Sequence, residues 1–586
     1  MITYSKKFVN IIAVFLLLFM LAVAFLSMKG DSLTMDELAH IPAGYGYMHE
    51  KDYRLNPEHP PLLKDLAAIP LLFMDLKFDK EFGAWKNEVN GQWDMGANFI
   101  FHSGNNPEKI IFWARIPMLV ILIILGFYMF KWAKELFGPK AALLSLFLFS
   151  FSPAFIAHGR LVTTDVGAAA AFFIAAYYFV KWLQLPTKKN LIIAGIVFGI
   201  AQLIKFSLFL LVPTFGLFLI IWIIVAPAKK YGAGKQKFWH YLGKFILILI
   251  IGYLLVYPVY LFHVANYPHE KQISDTEFIA SQFPFKPIYK PLMTITKNSI
   301  LRPYGQYFLG LLMVFQRATG GNTTFFLGEV TNKGWPTYFP IVYAIKEPLI
   351  LHILTIIALL FLAWRFSAKN FVRSLKNNFP EWAMLVFVGI YWIFSIRSNL
   401  NIGIRHILPT FPFVYVLISG QIKRIFEYMR EKKMLGIWAL TFGFLMLWYA
   451  FSSLSIFPYY LTYFNEIVGG AKNGYLYVVD SNLDWGQDLK RLNNWLDEQG
   501  IKKIKVDYFG GSDPNYYLGN KFEPWHGDYD PKNAKNSWLA VSATFLQQGR
   551  AVATKGWDRP TDFYLWLDDY KPMTIIGHSI FVYYIK

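Results

Sequence analysis

The 586-residue chain contains no cysteine. That absence removes disulfides from any segment facing an oxidising compartment, and with them a thiolate metal site and a cysteine nucleophile. No sustained internal repeat and no low-complexity linker interrupts the sequence. Acidic residues are also scarce, since 38 Asp and Glu stand against 57 Lys and Arg for a formal charge of +19. The cations are spread over many short loops with apolar sequence between them, a pattern that argues against a nucleic-acid surface.

What the chain has in excess is hydrocarbon. A content of 55% hydrophobic and 19% aromatic residues exceeds that of an ordinary soluble domain. Apolar runs occur at Ile11 to Leu26, Ile110 to Phe130, Ala141 to Ala157, Val166 to Trp182, Leu191 to Gln202, Phe206 to Ala226 and Phe245 to Val264. Four more follow at Pro348 to Leu362, Trp382 to Ile396, Ile407 to Gln421 and Met434 to Phe457. An untilted crossing takes roughly 20 residues, and the pattern predicts about eleven spans in a polytopic α-helical membrane protein. The first run reads as a helix, because a cleaved signal would need a small-residue cleavage site and Asp31 follows at once.

Lys and Arg concentrate in alternate loops, among them Lys131 and Lys134, Lys229 and Lys230, and Arg430 and Lys432. The positive-inside rule then puts the N-terminus in the cytoplasm of a multi-pass cell-membrane protein. Outside fall the loops 28–109 and 266–345, the short loop at His158, and a C-terminal segment 458–586; residues 1–457 form the membrane part. The segment after Tyr475 alternates strand-like and helix-like pieces: YLYVV, DWGQDLKRLNNWLDEQG, KIKVDYF, SWLAVSATFL, TDFYLWLDDY and SIFVYYI. Gly500 stands where a helix C-cap glycine belongs, which predicts an extracytoplasmic α/β domain. Pro514 to Pro531, rich in Pro, Gly, Asn and Asp, reads as a long loop.

Two charged patches flank apolar runs. In the first, Thr34, Met35, Asp36 and Glu37 fit a capping box, in which Asp36 would be no more than a first-turn acid. Carboxylates beside hydrocarbon are costly and mark substrate sites more often than packing, and the two readings are compatible. Asp36 and His40 are one turn apart on a shared face. Downstream, Pro60 and Pro61 stiffen NPEHPPLLKD and present Glu58 and His59 from an extended turn, unless these are solvated charges at an ordinary helix start. Glu58, His59, His40 and the Asp36 pair together offer oxygen and nitrogen ligands to a divalent ion, in a spacing that matches no strong metal signature. The second patch is HGRLVTTD, from His158 to Asp165.

The order of an apolar span, D-E-x-x-H, N-P-E-H-P-P-L and an R-x-x-x-x-D outer loop resembles the GT-C membrane glycosyltransferases, in particular the protein O-mannosyltransferase and lipid A aminoarabinose transferase superfamily. The likeness covers most of the membrane part and extends to GIAQLIKFSLFLLVP around Lys205, AIKEP around Lys346 and GIRHILPTFPF around Arg405. YFNEIVGG followed by DSNLDWGQDL is similar to the tail of bacterial members of uncertain acceptor. The Trp-Trp-Asp-Tyr-Gly motif of oligosaccharyltransferases is absent, and GQWDMG from Gly91 to Gly96 only echoes it.

This resemblance implies an inverting enzyme that moves a sugar, hexose or pentose, from a polyprenyl phosphate to an extracytoplasmic protein, lipid or envelope-polymer acceptor. It implies Asp36 as the base, Glu37 beside it to orient acceptor or tune charge, and Asp165 binding acceptor or sugar hydroxyls. Phosphate is already a good leaving group, so such an enzyme needs a base and fixed positive charge more than a general acid. Arg160, Lys205, Lys346 and Arg405 are the expected phosphate-binding cations, against a reading of each as a side chain snorkelling to lipid head groups. His59 joins this donor set where the aminoarabinose enzymes carry lysine. Glu58 aligns with an acid linked to metal or donor binding, with His40 as its expected partner toward a divalent metal. A transporter or flippase of an anionic lipid-linked sugar is the alternative class, and would show paired inverted halves with broken helices at the midplane.

Overall fold

A computed structural model describes residues 6–226, 235–366, 369, 371–554 and 556–586. Lys229 and Lys230, counted above among the basic loop residues, lie outside these. Seven described helices are long and apolar enough to cross a membrane: Lys6–Met28, Pro107–Phe137, Asp165–Gln184, Phe206–Val225, Gln236–His263, Phe379–Arg397 and Leu435–Leu454. Two bent pairs, Pro139–Ser150 with Pro153–Gly159 at 60° and Tyr338–Lys346 with Leu349–Arg365 at 111°, raise the number to nine if each is one span.

Of the eleven expected, seven to nine are therefore long and apolar enough among the described residues. All eleven runs are helical, but Lys188–Gln202 has only 15 residues, about 22 Å at helical rise. Helix Phe411–Glu431 carries Lys423, Arg424, Glu427, Arg430 and Glu431 in its second half. The two breaks coincide with Pro153 and Pro348, which lack the N–H that would continue the helical ladder.

Leu435–Leu454 turns Leu440, Phe444, Leu447 and Phe451 outward, each with more than half its surface bare. In water that stripe would be costly; against lipid it is not. Asp165–Gln184 is the opposite case, enclosed along nearly its whole length, with Ala168 to Ala171, Ala175 and Ala176 buried. Small side chains let neighbouring helices approach closely, and this central helix sets Asp165 at its N-terminal end.

Outside the bundle, β1 (Thr324–Phe326) and β2 (Glu329–Thr331) pair antiparallel, and β2 pairs in parallel with β6 (Val552–Ala553). The C-terminal segment builds a five-stranded sheet from β3 (Ile504–Asp507), β4 (Phe522–Pro524), β5 (Ser537–Ser542), β7 (Thr574–Ile576) and β8 (Ile580–Ile585), in the order β4-β3-β5-β8-β7. Helix Leu489–Gln499 ends at Gly500 with φ of 66°, a left-handed C-cap. Two pieces differ from expectation. YLYVV is a 3-10 turn at Gly474–Leu476 with a single bridge from Val478 to Phe326, and TDFYLWLDDY ends in a 3-10 turn at Leu565–Asp569. The supposed loop 514–531 contains helix Pro514–Leu518 and strand β4.

The C-terminal segment docks on the first outer loop through its backbone. Ser32 N–H donates to the Gln487 carbonyl at 2.9 Å and Met35 N–H to the Trp485 carbonyl at 3.1 Å. These bonds set the segment 480–488 against the start of helix Met35–Glu50.

Candidate active site

Helix Met35–Glu50 begins with a working capping box. The Thr34 N–H donates to the Glu37 carboxylate at 3.0 Å, and the Glu37 N–H to the Thr34 carbonyl at 3.1 Å. That cap turns Glu37 into the protein, where Arg115 donates from Nε at 2.8 Å and Nη2 at 2.6 Å and the Val162 N–H adds a bond at 3.0 Å. Asp36, one residue earlier and about 100° round the helix, faces elsewhere.

It faces Arg405. Nη1 of Arg405 donates to Asp36 Oδ2 at 2.5 Å and lies 3.4 Å from Asp165 Oδ2. Asp165 Oδ1 accepts from Lys205 Nζ at 2.6 Å. The four side chains form one alternating chain of charge, Lys205 to Asp165 to Arg405 to Asp36. Their side-chain exposures rise along it from 0% for Asp165 to 8% for Arg405 and 24% for Asp36, with Lys205 at 17%. Asp36 is the open end.

Arg405 is delivered by a 3-10 turn, Ile404–His406, that follows Gly403. At Gly403 φ is 133°, and a Cβ would meet Ser481 Oγ at 2.4 Å, so both conformation and space call for glycine. Arg405 Nε then donates to Ser481 Oγ at 3.1 Å, and the Ile404 N–H to Asn482 Oδ1 at 2.9 Å. Burial alone would raise the Asp36 carboxyl, but Arg405 and then His40 outweigh it and hold Asp36 below its ordinary 3.8. Asp480 is pushed up to about 6 by burial, with Arg405 opposing.

The remaining sequence-derived candidates fall elsewhere. Glu37 is wholly buried on Arg115, so it neither orients an acceptor nor faces the Asp36 cluster. Arg160 is ion-paired with Asp31 at 2.9 Å and donates to the Pro458 carbonyl at 3.3 Å. Lys346 donates to the carbonyls of Leu461 at 2.8 Å and Asn482 at 2.5 Å, and sits over the Phe464 ring. Two of the four expected phosphate cations are thus engaged in holding the outer segment to the bundle.

Glu58 accepts from Asn90 Nδ2 and Gln92 Nε2, each at 3.0 Å. His40 Nδ1 lies 2.9 Å from the Val162 carbonyl, and its ring meets His59 edge-on at 5.1 Å. Among the described residues no three His, Asp or Glu stand close enough to hold a metal ion. With the Glu58 oxygens held by amide donors, the residues at this place do not fit a resident divalent ion.

Sequence reasoning missed Arg115 as the partner of Glu37, although a lone arginine inside the run Ile110 to Phe130 was a visible signal. It also missed Ser481 and Trp485 as neighbours of Arg405; DSNLDWGQDL stood out only by likeness.

The bundle, the outer helices and the appended α/β segment together are the GT-C glycosyltransferase fold, in a multi-pass membrane protein. The chain aligns with the apo oligosaccharyltransferase of Archaeoglobus fulgidus at a TM-score of 0.50 and 12% identity, over 96% of this chain and 73% of that one. ArnT from Cupriavidus metallidurans, in a structure bound to undecaprenyl phosphate, is similar over 97% of both chains at 13% identity and a TM-score of 0.45. Within this class, residues 105–256 match the family described as dolichyl-phosphate-mannose-protein mannosyltransferase. No curated protein matches the chain by sequence.

Proposed function

We propose that the protein is a membrane glycosyltransferase that moves a sugar from a polyprenyl phosphate to an extracytoplasmic acceptor with inversion at the anomeric carbon. The observation that carries this reading is the Lys205–Asp165–Arg405–Asp36 chain, buried at Asp165 in its middle and most open at Asp36. In the reaction the acceptor hydroxyl oxygen bonds to the anomeric carbon as the carbon–oxygen bond to phosphate breaks. The phosphate leaves with that electron pair, and the acceptor proton passes to Asp36. Attack opposite the leaving group gives inversion.

Asp36 suits the role because Arg405 keeps it ionised while leaving it partly exposed. Arg405 and Lys205 supply the fixed positive charge that a departing phosphate needs. Asp165 bridges the two cations, and so sets their spacing in place of contacting sugar hydroxyls. The basic loops support an orientation with the N-terminus in the cytoplasm and the C-terminal domain outside. Because the chain has no cysteine, single cysteines placed at Ser5 and Lys586 report that orientation by labelling of intact cells. The test of the activity is turnover of a polyprenyl-phosphate sugar by the purified protein in liposomes: Asp36→Asn should lose it with the melting temperature unchanged, and undiminished turnover overturns the assignment.

A further inference from the structure

We propose that Trp485, carried by the C-terminal domain, is a positioning residue of the donor site, holding both members of the Arg405–Asp36 pair at once. The proposal rests on the donor-site reading above. The Arg405 guanidinium lies 4.3 Å from the centre of the Trp485 ring, and that ring is 1% exposed. A guanidinium over an indole face is attracted by the ring quadrupole, more strongly when desolvated. The backbone carbonyl of the same residue accepts the Met35 N–H at 3.1 Å, one residue before Asp36. One residue therefore fixes the cation through its ring and the start of the carboxylate's helix through its backbone.

The surroundings show a contact built to be close. The Ser481 hydroxyl donates to the Ile402 carbonyl, which leaves its lone pairs for Arg405 Nε. Gly486, next to Trp485, has φ of 92°, and a Cβ there would meet Gly510 Cα at 2.4 Å. With Gly403 on the other side, glycine stands beside both segments where they meet. Planarity matters here because a guanidinium donates only in its own plane. A ring stacked on its face leaves the edge groups aimed at Asp36, Asp165 and an incoming phosphate.

The experiment measures binding of undecaprenyl phosphate to the purified full-length protein for Trp485→Leu, Trp485→Phe, Arg405→Lys and the Trp485→Leu/Arg405→Lys double variant. Trp485→Leu is expected to weaken binding about 5- to 30-fold, the range of a buried cation–π contact, and Trp485→Phe to keep it within about 3-fold. The double variant should bind within about 2-fold of Arg405→Lys, because Trp485 acts through that guanidinium. If Trp485→Phe falls as far as Trp485→Leu, or if the double variant shows the two losses multiplied, Trp485 is structural and the proposal is overturned. If Arg405→Lys weakens binding and Trp485→Leu does not, the proposal alone fails; if Arg405→Lys binds like the parent, the donor-site reading fails first. Should Trp485→Leu not fold, Trp485→Met asks the same question with a larger apolar side chain, and a loss that multiplies with Arg405→Lys overturns the proposal.

Discussion

Asp36 and Glu37 are adjacent in the chain, both pair with arginine, and they are built to opposite ends. Glu37 is completely enclosed, and its two oxygens take five bonds from Arg115, Val162 and Thr34. Asp36 makes one strong bond, to Arg405, and keeps a quarter of its side chain open. Saturation fixes a buried charge in place, since no lone pair is left to take a ligand. Proton acceptance requires an ionised carboxylate with a lone pair left free and within reach of the proton. The helix cap separates the two roles by committing one neighbour to the backbone.

The sharpest way to break this contrast is to remove each carboxylate's function in turn. Asp36→Asn is expected to cost about 10²- to 10⁴-fold in turnover, with thermal unfolding in detergent unchanged. Arg115→Met should do the reverse, leaving Glu37 buried without its cation and costing about 3–5 kcal/mol of stability, read as a fall in melting temperature and in yield. If Arg115→Met were stable, or if Asp36→Asn unfolded the protein, the division between the two acids would be wrong.

A second comparison sets Lys205 against Lys346. Lys205 meets a carboxylate on the open cluster, whereas Lys346 meets two carbonyls between the bundle and the outer segment. Lys205→Met removes a cation of the cluster, and a charge-assisted bond from it to the donor phosphate would contribute about 1.5–3 kcal/mol. The expected outcome is a loss of donor affinity of roughly 10- to 150-fold in a binding titration, whereas Lys346→Met should lower stability before affinity.

The pH dependence sharpens the Asp36 and Glu37 pair further. Burial raises Glu37, but Arg115 more than offsets it and holds the group below its ordinary 4.5. A depressed folded value contributes stability that is fully present above 4.5 and is lost as pH falls through that lower value. The contribution of Glu37 to stability is therefore expected to be level from pH 7 to about 5 and to fall below about 4.5. Asp36, also depressed, gives no acid limb in activity over the level range. A limb near pH 6 belongs to Asp480, and Asp480→Asn should remove it.

The limits of sequence reading follow from the same contacts. Apolar runs announce helices because hydrocarbon has one low-cost place to go, so every run was legible, while the breaks at Pro153 and Pro348 and the shortness of Lys188–Gln202 changed the count. The cap at Thr34 and the C-cap at Gly500 were legible because both are local. Arg405 meets Asp36 across 369 positions, and nothing local distinguishes it from Arg160, which closes on Asp31 instead. All four candidate cations stand at or beside helix ends. Only the packed chain shows which of them meet carboxylates on an open cluster and which meet buried acids or carbonyls.

The smallest expected effect tests how the C-terminal domain is held. Lys490 pairs with Glu108 at the outer end of helix Pro107–Phe137, but both side chains are about a third or more exposed. Such a pair contributes about 1 kcal/mol or less, because water and salt screen it and two long side chains must be ordered to make it. Arg491, by contrast, joins Asp488 of its own helix to Asp31 of the first outer loop, and both acids are buried. Lys490→Ala should therefore leave turnover, donor affinity and melting temperature nearly unchanged. Arg491→Ala should break the link between the two acids, leaving Asp31 to Arg160 alone, and loosen the segment that carries Ser481 and Trp485. If Lys490→Ala instead lowers donor affinity as far as Arg491→Ala, the domain is held by its rim, and Trp485 loses the fixed frame from which it would position Arg405.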